Sequence, residues 1–292
     1  MSETLPEEWR SRRDSAELLG SMLAARVIAL ELIVSVAGET RPLIYSGCLL
    51  RHNGLLHWIT AGHCIDELEQ IRSGDVDVEV ARVRWCDNHE TGAASTIPTS
   101  LDQMVWKFGE AGWDFGVVWI MPREAELLEA NPSLRPFVDS ECGWGGAVVE
   151  ALIIFGFPRE WVRIATAEEA RGVRSMEGDF SLAGIPVKGE VPPDQRGEEP
   201  FWGFPECYYF KLADQDPEQP LSSIKGMSGG PLVAVEQLSD GTRSLRLVAI
   251  QSCWLASQRV VRAVRIEGVL AYLEYVFSEY RKALEAGGGG EA

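Results

Sequence analysis

Three short segments of this chain hold the residue types that acyl transfer needs. Gly226 to Pro231 reads GMSGGP, a serine between glycines ahead of the apolar run Leu232 to Val235. That arrangement suits a nucleophile that must be sterically open while neighbouring backbone N–H groups face a reacting carbonyl. The same composition also suits a plain turn into a strand, so the reading depends on partners elsewhere. Ile59 to Cys64, ITAGHC, places His63 in a short turn after a strand end, the residue type that takes a proton from serine. Trp113 to Ile120, WDFGVVWI, puts Asp114 at the start of an apolar strand, where a buried carboxylate can fix the tautomer of an imidazole.

Competing residues read differently. His52, His57 and His89 do not stand in a small-residue turn after an apolar strand end, and read as solvated or structural. Asp66, Asp75, Asp77, Asp87 and Asp102 also fall between His63 and Ser228, but in polar surroundings typical of exposed loops or edge strands. The order His63, Asp114, Ser228 is that of chymotrypsin-like enzymes and not of subtilisins or α/β-hydrolases.

On TAGHC, WDFGVV, GMSGGP and LVAIQS (Leu247 to Ser252), the chain resembles the trypsin/chymotrypsin-like serine proteases, particularly bacterial, intracellular-type members, from about residue 27 to 264. The resemblance implies an all-β fold of two six-stranded antiparallel barrels with the site between them. It assigns Ser228 as nucleophile, His63 as general base and then acid, Asp114 as the orienting acid, and the N–H groups of Gly226 and Ser228 as oxyanion hole. It further implies a hydrogen bond from Ser252 to Asp114, a disulfide position at Cys48 and Cys64, and a substrate-binding set of Ser222, Ser252, Cys253 and Trp254. Ser222 stands where the family floors its specificity pocket, and a neutral residue there disfavours cleavage after Lys or Arg. Met227 replaces the aspartate that pairs with a newly cut N-terminus in trypsin-like zymogens, and no Ile-Val-Gly-Gly segment precedes the first barrel. Activation by that route is not expected.

Composition narrows the class further. The 292 residues are 46% apolar, enough for a two-lobed core. A net charge of −17 argues against nucleic acid or an anionic membrane as partner. Neither a signal peptide nor a membrane span of about 20 apolar residues is legible in residues 1–25, so a cytoplasmic protein is expected. The six cysteines, Cys48, Cys64, Cys86, Cys142, Cys207 and Cys253, lack metal-ligand spacing and read as buried free thiols, with no metal and no cofactor expected.

The elements that position these motifs divide the chain as follows. Residues 1–25 read as a helical extension opened by the capping box TLPE at Thr4 to Glu7, 26–125 as the first barrel, and 126–147 as a connection with a short helix over Glu124 to Ala130. Residues 148–264 read as the second barrel and 265–286 as a helix docked on it, with an apolar stripe from Ile266 through Leu273 and Phe277 to Leu284. Residues 287–292 form a tail expected to be disordered. The polar stretch 188–219 reads as an insertion and, with the N-terminal helix, a candidate gate. The function expected is a serine endopeptidase acting on protein or peptide substrates, one dedicated partner protein among the possibilities. A catalytically silent protease-like binding module and a small-molecule esterase with the same residues are the alternatives.

Overall fold

The computed structural model describes residues 22, 24–87, 96–108, 113–132, 134–168, 174–179, 182–197, 206–213 and 223–287. Apart from its last few residues, the expected N-terminal helix lies outside these residues, as do His89, Ser222 and the tail beyond 287.

Two β lobes follow one another. The first contains β1 (Val27–Val36), β2 (Glu39–His52), β3 (Leu55–Thr60), helix α1 (Gly62–Ser73), β4 (Glu79–Asp87), β5 (Thr96–Thr99), β6 (Val105–Phe108), β7 (Gly116–Trp119), helix α2 (Pro122–Glu129) and the short β8 (Phe137–Val138). Its strands form one sheet in the order β5-β4-β1-β2-β3-β7-β6, with β8 beside β2. Among the described residues this lobe is thus a half-barrel sheet, in keeping with the two-barrel fold expected. β1 is buried on both faces, which explains the near-continuous apolar run VIALELIV. The one charge within it, Glu31, pairs across the sheet with Arg84, as a buried carboxylate must.

The second lobe contains β9 (Val148–Gly156), the hairpin β10 (Arg163–Glu168) with β11 (Arg174–Asp179), β12 (Ala183–Glu190), β13 (Cys207–Leu212), β14 (Pro231–Gln237), β15 (Arg243–Leu255) and β16 (Val260–Arg265). Six of these close into an antiparallel barrel, β12-β13-β16-β15-β14-β9. Strand β12 runs to Glu190 and β13 covers Cys207–Leu212, so these two parts of the stretch read as an insertion belong to the barrel wall. The architecture agrees with the all-β, two-lobed expectation, C-terminal helix included.

Three apolar clusters hold the chain together. One lies inside the first lobe around Trp58, Trp85, Leu30 and Leu49, and another fills the barrel around Ile154, Phe210, Met227 and Val248. The third joins the lobes. It runs from Val27, Ile59, Phe115 and Phe137 to Phe157, Tyr209, Ile250 and Val264, and takes in Ile266, Val269 and Leu273 of helix α3 (Ile266–Gly287). Helix α3 therefore packs against both lobes and not only the barrel. Its Glu274 accepts a hydrogen bond of 3.0 Å from Asn53, and its Phe277 lies 5.9 Å from the rings of His52 and His57. The two histidines are structural: both are buried, and His52 pairs with Asp139 at 2.6 Å. Tyr280 is exposed, so the apolar stripe outlasts the surface it covers.

Candidate active site

The turn expected at His63 is the first turn of a helix. Cys64, Ile65, Leu68 and Ile71 are the buried face of α1, at the i, i+1, i+4, i+7 spacing of one side of an amphipathic helix. Ala61 at the N-cap offers no side-chain cap, and Asp114 takes over that role: its Oδ1 accepts the His63 backbone N–H at 2.9 Å. A carboxylate suits this place, because the first N–H groups of a helix lack internal partners and the N-terminus carries partial positive charge. The same carboxylate lies 3.1 Å from His63 Nδ1 through each of its oxygens. One side chain thus anchors the histidine's backbone and orients its ring.

The Asp114 side is fixed by close packing. Gly116, two residues on, admits Ile65 of α1 so tightly that a Cβ there would sit 2.2 Å from Ile65 Cγ1. Phe115 between them is fully buried and meets Tyr272 of α3 edge-on at 5.4 Å. Half of the His63 side chain is exposed, against 20% for Asp114. The hydrogen bond that the Asp114 carboxylate accepts from the ring, followed by one with Cys64, pushes His63 up to about 11. Burial alone would raise Asp114, but the His63 hydrogen bond and charge, with Arg262 beyond, hold it below the ordinary carboxylate value.

Arg262 is the part of this cluster that sequence reasoning missed. Its NH2 group donates to Asp114 Oδ2 at 3.4 Å, and its Nε donates to Ser252 Oγ at 3.1 Å. Ser252 in turn donates to the Arg262 carbonyl at 3.3 Å. The direct Ser252–Asp114 hydrogen bond implied by resemblance is therefore replaced by a bridge through Arg262. A register shift between Gln251 and Cys253 displaces Ser252 from the regular ladder and turns its hydroxyl along β15 and β16. The available signal was an arginine in the middle of the strand VVRAVR, flanked by Val261 and Ala263.

Ser228 lies on the loop 223–230 that leads into β14, and the glycines of GMSGGP have steric reasons to be there. A Cβ on Gly230 would come 1.7 Å from the Phe155 carbonyl oxygen, and one on Gly229, at φ 90°, would come 2.1 Å from Thr60 Oγ1 and 2.8 Å from the Ala61 nitrogen. The serine loop is thus pressed against the chain segment that leads into His63. Hydrogen bonds hold the contact. Ser46 donates to the Gly226 carbonyl at 2.8 Å and accepts from Phe157 N at 2.9 Å, while Thr60 donates to the Ser46 carbonyl at 2.7 Å. Cys64 Sγ lies 3.8 Å from the Ser228 carbonyl. The contacts among the described residues do not include a Ser228–His63 hydrogen bond, which in ligand-free enzymes commonly closes only around a substrate.

The orientation of two backbone N–H groups follows from their neighbours. The Lys225 carbonyl accepts from Arg159 N at 2.7 Å and the Met227 carbonyl from Gly230 N at 2.9 Å. In a trans peptide the next N–H points the opposite way, so the N–H groups of Gly226 and Ser228 are turned away from those acceptors. Met227 is fully buried in the barrel cluster, and apolar packing fixes the loop where the resemblance had placed an ion pair.

Of the remaining predicted residues, Cys253 and Trp254 lie on β15 opposite Arg262 and Val261, both half-buried, with Trp254 packed against the barrel cluster. Ser222 lies outside the described residues. All six cysteines are free thiols. Burial first, and then the neighbouring Cys142, raises Cys48 far above an ordinary thiol. Asp66, Asp75, Asp77 and Asp102 are exposed, and the carboxylate that His63 pairs with is Asp114. No helix among the described residues is long and apolar enough to cross a membrane.

No protein-family model matches the chain, and no curated protein matches it significantly. Among solved structures, similar chains include the active form of the Rv3671c protease from M. tuberculosis, with 12% identity over 87% of this chain and 82% of that one at a TM-score of 0.43. The protease Anisep from Arthrobacter nicotinovorans gives 14% identity, 82% and 90% coverage and a TM-score of 0.41. A catalytically inactive tobacco etch virus protease in complex with substrate gives 11% identity, 84% and 79% coverage and a TM-score of 0.35.

Proposed function

We propose that the chain is a serine peptidase in which Ser228 forms an acyl-enzyme. The observation that carries the proposal is the pairing of His63 with Asp114 on one lobe, pressed through Gly229 against the serine loop of the other. In this reading Ser228 Oγ attacks the carbonyl carbon and passes its proton to His63 Nε2. The Asp114 carboxylate keeps the proton of Nδ1 in place and stabilises the imidazolium that forms. The oxyanion is received by the N–H groups of Gly226 and Ser228, which take no acceptor within the loop. His63 then returns its proton to the leaving amine, and water hydrolyses the ester by the same steps reversed.

Buried Met227 supports a serine loop that is set by packing and needs no cut N-terminus. The free thiols support a reducing, cytoplasmic setting. Ser252, Cys253 and Trp254 carry no negative charge, which disfavours Lys or Arg at the cleaved position, and a restricted protein substrate would limit the hazard of such an enzyme inside a cell.

Fluorophosphonate labelling tests the reading. The folded protein should carry the adduct on Ser228, and Ser228→Ala should lose it; equal labelling of both would sink the proposal. Turnover of simple esters with no cleavage across a peptide library would identify an esterase instead.

A further inference from the structure

The Asp114 carboxylate has more claimants than an aspartate serving only one imidazole. Oδ1 accepts the His63 backbone N–H and lies within reach of Nδ1, while Oδ2 is shared between Nδ1 and the Arg262 guanidinium. Arg262 does not arrive there by chance of a long side chain. Its backbone is fixed in β16 between Tyr209 and Cys253, its side chain is 11% exposed, and Ser252 Oγ holds its Nε at 3.1 Å. Among the described residues, the ionisable groups facing this cluster include Cys64 from α1 and Cys207 from β13, with Glu206 and Arg265 beside that thiol. Burial pushes Cys207 up to about 11, so it is neutral at physiological pH and leaves Arg262 as the cation that answers Asp114 from the barrel side.

A half-buried carboxylate bonded only to an imidazole holds that imidazole protonated, and a protonated imidazole cannot act as base. A second cation on the same carboxylate weakens that hold in two ways: it takes part of the charge on Oδ2, and it repels the positive ring of His63 from one carboxylate oxygen away. It also spans the interface, because Asp114 belongs to the first lobe and Arg262 to the second.

Resting on the peptidase reading above, we propose that Arg262 is a positioning residue of this site: tethered by Ser252, it binds Asp114 Oδ2, fixes the carboxylate across the lobe junction and tunes His63 toward the neutral base.

The test reads His63 directly. The imidazole Cε1–H of His63 is titrated by NMR in the full chain carrying Ser228→Ala, alone and with Arg262→Met, Arg262→Lys or Ser252→Ala. The midpoint should move to higher pH in Arg262→Met, stay near its starting value in Arg262→Lys, and move the same way by less in Ser252→Ala. With Ser228 intact, kcat/KM at pH 7 should fall about tenfold in Arg262→Met, through kcat and not KM, and recover most of that in Arg262→Lys. An unmoved midpoint in folded Arg262→Met overturns the inference, as does a lysine variant that titrates like the methionine one. Should Arg262→Met fail to fold, Ser252→Ala decides, and an unmoved midpoint there overturns it equally. Failure of the peptidase reading looks different: Ser228 then takes no fluorophosphonate while the His63 midpoint still responds to Arg262.

Discussion

The two sides of the lobe junction are held by different physics. On the first lobe, His63 is set by charge and hydrogen bonds that converge on Asp114, with Arg262 reaching across from the barrel. On the second, Ser228 is set by volume: Gly229 and Gly230 let backbone meet backbone, and Met227 plugs the loop into an apolar cluster. Charge-held geometry responds to pH and to single titrating groups. Packing-held geometry ignores pH and fails when an atom is added. In the proposed peptidase the base, which must change protonation in every cycle, would sit on the tunable side, and the nucleophile and its N–H groups on the rigid one.

The largest expected effect comes from the charged side. Asp114→Asn should lower kcat/KM by about 10⁴ through loss of the correct His63 tautomer while leaving the serine loop folded. The pH dependence has a definite sign. His63 must be neutral to act, and its proton is held above the ordinary 6.5, so the acid limb of kcat/KM should lie above 6.5 in the wild type and fall back toward it in Asp114→Asn. The pair also links to stability. The His63 contribution is complete below pH 6.5 and is lost as pH rises toward about 11, whereas that of Asp114, held below 3.8, is lost as pH falls through its lowered value. Thermal melts of wild type and Asp114→Asn across pH check both directions.

The packed side should break through stability. In Gly230→Ala a methyl group would meet the Phe155 carbonyl, which as backbone cannot turn aside, at a cost of about 3 kcal/mol. Denaturant unfolding measures it, and a loss that varied with pH would contradict the comparison. A smaller effect is expected from Ser46→Ala, which strips the Gly226 carbonyl and the Phe157 N–H of their partner at the junction, for about 1–3 kcal/mol. Its melting curve should shift while the acid limb of its pH profile stays put. Smallest of all, reductant should leave the melting temperature unchanged, because Cys48 and Cys64 are free; a reductant-sensitive melt would show a disulfide after all.

Much of this arrangement was legible as one-dimensional pattern. GMSGGP, ITAGHC and WDFGVVWI carry local steric and chemical demands that depend little on distant context, and all three meet at the lobe junction. The strands of both lobes follow from β-rich runs between turn signals, and α3 from its apolar stripe. Helix α1 was legible in principle from Cys64, Ile65, Leu68 and Ile71, but a histidine in a glycine turn outweighed that period. Within the stretch 188–219 the strand residues up to Glu190 were hard to see, because Ala183–Glu190 alternates buried and exposed residues and its polar half hides a barrel wall.

By itself the sequence determined which residues are able to react and the order in which they come, since side-chain chemistry and glycine's missing Cβ are properties of single positions and short windows. Tertiary structure alone decided who answers Asp114. Arg262 lies 148 positions further along the chain. It reaches the carboxylate only because β16 pairs with β15 and the barrel closes against the first lobe, and long-range register of that kind leaves no local mark beyond an arginine set between apolar strand residues.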